Sequence, residues 1–199
     1  MKKIVAVSIF TSAIANTNLG LLLWSGRNLS DSELTSSAGN VNALGDKEFI
    51  GGSLIMPLSI LMGSKVELGM SIIPSKTWQI GSSSISVSSR RRYSINTVYN
   101  ASDSISLIAG VALLKQELSC SDTGCNKVKQ DTAYKDKLGI NLGAQWLYPI
   151  ANNIEAGVRL MYSLKGNNRK YCYGKDSCDK TITESENKLK IMTVIEAGL

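Results

Sequence analysis

Between Leu138 and Leu164 the chain alternates apolar residues with polar or very small ones, twice over, across one short break. Leu138, Ile140, Leu142, Ala144, Trp146 and Tyr148 interleave with Gly139, Asn141, Gly143 and Gln145. After a turn at Pro149 to Asn153, Ile154, Ala156, Val158, Leu160, Tyr162 and Leu164 interleave with Glu155, Gly157, Arg159, Met161 and Ser163. Period two puts each set on its own face of an extended strand, and the short break makes the two strands an antiparallel hairpin. In a soluble sheet the polar face looks at water and is rarely so rich in glycine. Here Gly139, Gly143 and Gly157 share that face with Glu155 and Arg159. Such a face suits the tight interior of a small barrel, which leaves the apolar face for lipid.

The rest of the chain repeats the pattern. Strands are expected near Asn18 to Gly26, Glu48 to Leu58, Lys65 to Ile73, Ser84 to Val98, Ser104 to Lys115 and Lys188 to Leu199, which with the hairpin makes eight. The connections at Ser59 to Ser64, Tyr99 to Asp103 and Pro149 to Asn153 are compact. Those covering Arg27 to Lys47, Pro74 to Ser83, Gln116 to Asp136 and Lys165 to Asn187 are mostly longer and strongly polar. Short turns at one end and long loops at the other are the pattern of a bacterial outer-membrane barrel.

The amino terminus fits export. Lys2 and Lys3, the apolar run Ile4 to Thr11 and the small residues Ala13-Ile14-Ala15 stand in the order of a cleaved signal peptide over residues 1–15, leaving 16–199 as one barrel domain. No run of about twenty apolar residues follows, which excludes a transmembrane helix. Losing Lys2 and Lys3 lowers the net charge from +6 to +4, too mild a balance to suggest nucleic acid.

Together these strand and turn patterns, typified by Gly-Ala-Gln-Trp-Leu-Tyr-Pro-Ile-Ala-Asn-Asn-Ile-Glu-Ala-Gly-Val-Arg-Leu-Met-Tyr, resemble the small eight-stranded outer-membrane barrels of the OmpA, OmpX/Ail and opacity-protein type. The resemblance spans about Asn18 to Leu199. It implies an all-β, antiparallel, up-and-down transmembrane barrel with short periplasmic turns and long extracellular loops, in the outer membrane of a Gram-negative cell. Members often end in an aromatic residue; this chain ends in Leu199.

The interior of such a barrel is just wide enough for side chains to fill it. The inward-facing charges Glu67, Arg90, Arg92, Glu155, Arg159, Lys190 and Glu196 are therefore expected to pair, because an unpaired buried charge is costly. Tyr99, Trp146, Tyr148 and Tyr162 fall near strand ends and are candidates for the aromatic girdles. Arg90, Arg91 and Arg92 are expected at the outer end of the fourth strand. With Arg169 and Lys170 of the last long loop they are candidates to contact lipopolysaccharide phosphates. A solvated basic loop is the plainer reading of the same residues.

Cys120 and Cys125, and Cys172 and Cys178, form two close pairs within long loops. In an exported chain two local disulfides are the economical reading, although four cysteines allow three pairings. Four thiolates are also a zinc set, but the chain has no histidine, and no metal or cofactor is expected. Without histidine there is no Ser-His-Asp site, and no phosphate-binding or dinucleotide fingerprint is present. These features point to a monomeric, non-enzymatic surface protein whose partners are outer-membrane lipid, lipopolysaccharide and a host or surface macromolecule met through the loops. By resemblance, its role lies in envelope integrity, adhesion or resistance to host defence. The alternatives are a narrow gated channel for small solutes and a soluble exported barrel that binds a small apolar ligand.

Overall fold

The computed structural model describes residues 19–29, 33–45, 48–58, 64–81, 83–120, 127–130, 138–164, 169–174, 180–185 and 188–198. The expected signal peptide and the terminal Leu199 lie outside them. The described residues form fourteen strands, numbered in chain order, and no helix. Eight of them build the barrel: β1 (Gly20–Asn28), β4 (Glu48–Leu58), β5 (Ser64–Ile73), β7 (Ser83–Asn100), β8 (Ile105–Cys120), β10 (Gly139–Ala151), β11 (Ile154–Leu164) and β14 (Lys188–Gly198). Every neighbouring pair is antiparallel, and β1 pairs with β14 to close the ring. Closure removes the unpaired edges that lipid cannot satisfy. The fold is therefore the expected eight-stranded up-and-down barrel. The hairpin that dominates the sequence is β10–β11, with Asn153 taking a positive φ of 61° in its turn.

The barrel is inside out relative to a soluble one. Leu23, Ile50, Ile72, Ile95, Leu107, Leu142, Leu160 and Ile195 are all exposed on the outer surface. Glu67, Asn96, Asn141, Gln145 and Arg159 are buried inside. An apolar belt of this kind is the surface a membrane barrel offers to lipid. That belt argues against the soluble-carrier alternative, because water would have to cover so large an apolar surface. Where the barrel narrows around Trp24, a Cβ on Gly51 would come within 2.6 Å of the indole and one on Gly69 within 3.0 Å. Those two glycines make room for the ring.

The long connections are more ordered than their polar composition suggested. They hold β2 (Glu33–Ser36), β3 (Val41–Gly45), β6 (Lys76–Ile80), β9 (Lys127–Gln130), β12 (Arg169–Gly174) and β13 (Lys180–Ser185). β6 continues the barrel wall by pairing onto the outer part of β7, and β3 pairs onto β6. β2, β13, β12 and β9 form a separate four-stranded sheet. Its edges come close to the wall, β9 beside β8 and β2 beside β3. Between the sheet and the wall lies a second core of Trp78, Ile80, Ile85, Val87, Tyr171, Tyr173 and Ile182. The extracellular end is a folded cap.

β7 runs through both regions and changes phase between them. Ser83, Ile85 and Val87 point inward in the cap, whereas Arg90, Asn96 and Val98 point inward in the barrel. The switch from odd to even coincides with a register shift between Ser88 and Arg91 against β8. An inserted residue at such a bulge turns every later side chain to the opposite face.

Candidate functional site

The barrel interior holds one continuous polar network. Glu67 on β5 and Arg159 on β11 form a two-point ion pair: Nη1 donates to Oε1 at 3.0 Å and Nη2 to Oε2 at 2.8 Å. Both groups are almost wholly buried. Arg159 also donates to Gln145 Oε1 of β10, from Nε at 3.0 Å and from Nη2 at 2.5 Å. Asn96 Nδ2 donates to Glu67 at 3.2 Å, and Asn141 Nδ2 donates to Asn96 Oδ1 at 3.2 Å. Arg92 Nη2 then donates to Asn141 Oδ1 at 2.9 Å and to Ser163 Oγ at 2.7 Å, and Lys190 Nζ donates to Ser163 Oγ at 2.9 Å. Five strands contribute. The planar guanidinium suits a carboxylate at two points, and the neighbouring amides satisfy lone pairs that would otherwise be buried bare.

The other expected interior charges lie apart from this cluster. Glu196 accepts from Lys65 Nζ at 2.5 Å, toward the periplasmic ends of β14 and β5. Glu155 is half-buried opposite Glu196 in the β11–β14 ladder and forms no ion pair among the described residues. Arg90 is buried and donates from Nη1 to the Pro74 carbonyl at 3.1 Å. Of the arginine triplet only Arg91 is exposed on the outside, opposite Ile72 of β5. Arg90 and Arg92 are turned inward by the strand's alternation, so they do not reach lipopolysaccharide. The triplet also sits inside β7, not at its outer end, because the strand continues into the cap. The side chains of Arg169 and Lys170 lie outside the described residues.

Tyr99, Trp146 and Tyr148 are exposed on the outer surface next to the short turns, and Tyr162 is exposed toward the other end of β11. Trp146 and Tyr148 flank the inward-facing Leu147 on β10. Cys120 ends β8 and Cys172 lies in β12; neither is a free thiol, while Cys125 and Cys178 lie outside the described residues. Among the described residues no group of three or more histidine, cysteine or acidic side chains is placed to hold a metal.

At the junction of barrel and cap lies a cluster that alternation in the sequence did not single out. Glu184 of β13, fully buried, accepts from Lys76 Nζ of β6 at 2.5 Å and from Gln116 Nε2 of β8 at 3.2 Å. Gln116 also donates to the Tyr171 hydroxyl at 2.6 Å. Lys76 lies 5.1 Å from the centre of the Trp78 ring, and Trp78 meets Tyr171 at 5.5 Å between ring centroids. The available signal was the spacing of Tyr171, Tyr173 and Ile182 among polar neighbours, too short to distinguish from a loop. Gln145, Asn96, Asn141 and Ser163 are legible as inward-facing once the strands are set, but their partners are not.

No known family model matches the chain, and no curated protein matches it in sequence. Solved structures do match the fold. The outer membrane protein OprG from Pseudomonas aeruginosa aligns with a TM-score of 0.63 at 10% identity, covering 92% of this chain and 96% of that one. The outer membrane protein AlkL, determined in lipid bilayers, aligns with a TM-score of 0.54 at 13% identity, over 92% and 91%. A major outer membrane protein from Thermus thermophilus gives 0.51 at 11% identity, over 91% and 99%. The chain thus has the fold of the small bacterial outer-membrane barrels, and its apolar belt is the surface such a fold offers to lipid.

Proposed function

We propose that this protein is a non-enzymatic surface protein of the outer membrane, with a structural and interaction role carried by its cap. The observation behind this reading is the filled interior. A buried Glu67–Arg159 pair, tied to Gln145 and Asn96, crosses the barrel where a channel would run, and a cavity beside it holds only about 40 Å³. That is space for a few water-sized particles, not a solute path. Above it, the cap offers the strands β2, β9, β12 and β13 to the outside. Lipopolysaccharide contact is assigned to Arg91, with Arg169 and Lys170, because guanidinium and ammonium groups bind phosphate at a membrane surface. Local bridges Cys120–Cys125 and Cys172–Cys178 would pin the two loop tips next to the cap sheet.

The test is electrical. Purified protein folded into planar bilayers is expected to leave the membrane non-conducting, and a stable ohmic channel would overturn the reading in favour of a pore. Peptide mapping without reduction tests the bridges: a Cys120–Cys172 peptide contradicts local pairing.

A further inference from the structure

On the outer wall of the barrel, Arg91 of β7 stands directly opposite Lys115 of β8, and both side chains are exposed. Ser88 and Glu117 form the next outward-facing pair on the cap side, and Tyr93 and Leu113 the next on the lipid side. Tyr93 in turn borders a groove of about 480 Å³ in the apolar belt, between Leu21, Leu54, Met70 and Ile95. We propose that the cation pair and the groove form one site for a lipid A molecule of the outer leaflet. A phosphate of the lipid sits on Arg91 and Lys115, and one of its acyl chains lies in the groove. The site rests on the reading of Arg91 as a lipopolysaccharide contact and sharpens it, because Lys115 takes the place given above to Arg169 and Lys170.

Like charges directly opposite each other on an antiparallel pair repel. Among the described residues neither Arg91 nor Lys115 has an ion pair or a side-chain hydrogen bond, and the exposed Glu117 pairs with neither. A phosphate between the two cations offsets their repulsion, and the guanidinium can meet it at two points. The height is right for a lipid head group. Along β7 the outward-facing residues are Ile95 and Tyr93 below Arg91, and Ser88 and Ser86 above it, so the pair stands where the apolar belt ends on the cap side. The groove supplies the other half. Outward-facing positions on β4 run Ile50, Gly52, Leu54, and the missing side chain at Gly52 opens a hollow among large apolar neighbours. That hollow crosses β7, β5, β4 and β1, about 14 Å of wall at the usual strand spacing, which suits an acyl chain. Its border at Tyr93 is two residues from Arg91, about 7 Å along the strand. Cations at the belt's edge and an apolar hollow just below them match an anionic lipid in the order a bilayer presents it.

Native mass spectrometry of the folded protein, released from detergent micelles with added diphosphoryl lipid A, counts the bound lipid. A saturable lipid A adduct is expected. The double variant Arg91→Gln/Lys115→Gln should weaken it at least about tenfold, the scale of two interfacial cations, whereas Arg169→Gln/Lys170→Gln should leave it unchanged. Heat-modifiable migration on a gel checks that each variant has folded. The unaltered protein tests the groove without any substitution: the deacylated diphosphoryl disaccharide should give no adduct at the concentration that saturates with lipid A. Equal binding of that disaccharide would make the cations a phosphate site alone and overturn the lipid site. Phosphatidylglycerol bound as tightly as lipid A would overturn the choice of lipid. If lipid A binding survives Arg91→Gln/Lys115→Gln and is lost in Arg169→Gln/Lys170→Gln, the site falls while lipopolysaccharide contact stands. No lipid A adduct on the unaltered protein would overturn both.

Discussion

Deep in the barrel, β7 turns Arg92 and Asn96 inward to a network of charges and amides, while Tyr93 and Ile95 face out. Further along the same strand, Ile85 and Val87 turn inward to pack with Trp78 and Tyr171, and Ser86 faces out. One strand thus buries mainly charged and amide groups in the barrel, with Val98 beyond them, and mainly apolar groups in the cap. The cause is the solvent outside. Where lipid surrounds the barrel, an apolar side chain can be accommodated on either face, so Leu22, Phe49 and Met192 share the interior with the charges, whereas a polar one has nowhere else to be satisfied. Where water surrounds the cap, burying Trp78, Ile85 and Tyr171 removes apolar area from water, at about 25 cal/mol per Å². The register shift between Ser88 and Arg91 lets a single strand serve both, and it sits where the exposed Arg91 marks the end of the apolar belt.

If the two interiors are held by different forces, they should break differently. Arg159→Met removes one partner of a buried pair and strands the Glu67 carboxylate, an expected loss of about 3–5 kcal/mol in urea unfolding from lipid vesicles. Adding Glu67→Leu should recover most of it, since a matched apolar pair avoids the desolvation cost. A double variant as unstable as the single one would mean that the wider network, not the pair, sets the energy. In the cap, Trp78→Ala leaves a cavity in an apolar core and is expected to cost about 3–5 kcal/mol, confined to the cap. Amide exchange should accelerate in β12 and β13 with β10 and β11 still protected. Loss of protection in β10 as well would make barrel and cap one cooperative unit.

The outer surfaces should differ too, by less. Leu160→Arg puts a cation on the lipid belt and is expected to destabilise by about 2–4 kcal/mol near the bilayer midplane. The same change at Gln79, exposed on the cap, is expected to stay within about 0.5 kcal/mol. Equal effects in the unfolding titration would mean that the cap is also in contact with lipid.

The strands whose alternation stays in phase were readable without coordinates. β4, β5, β10 and β11 fall where Ile50, Leu68, Leu142 and Leu160 alternate with small or polar neighbours, because lipid demands an unbroken apolar face. The fourth barrel strand was the hardest to place, since its pattern reverses at the bulge and a reading in one phase cannot fit both halves. The cap strands were not recognisable at all. They are four to six residues long, and their partners lie far along the chain, Tyr171 opposite Gln130 and Thr183 opposite Thr35. A stretch that short has no stable structure by itself; its strand character comes from the sheet that it joins.

Alternation with glycine on the polar face determined by itself that the chain would close into a lipid-facing barrel and that Glu67 and Arg159 would be inside. That much depends only on each residue's neighbours in sequence. Which interior charges meet depends on how far each strand is staggered against the next, so it was left to the closed ring to bring Glu67 to Arg159 and Arg92 beside Lys190. The cap, likewise, exists only because segments distant in sequence arrive together at one end of that ring.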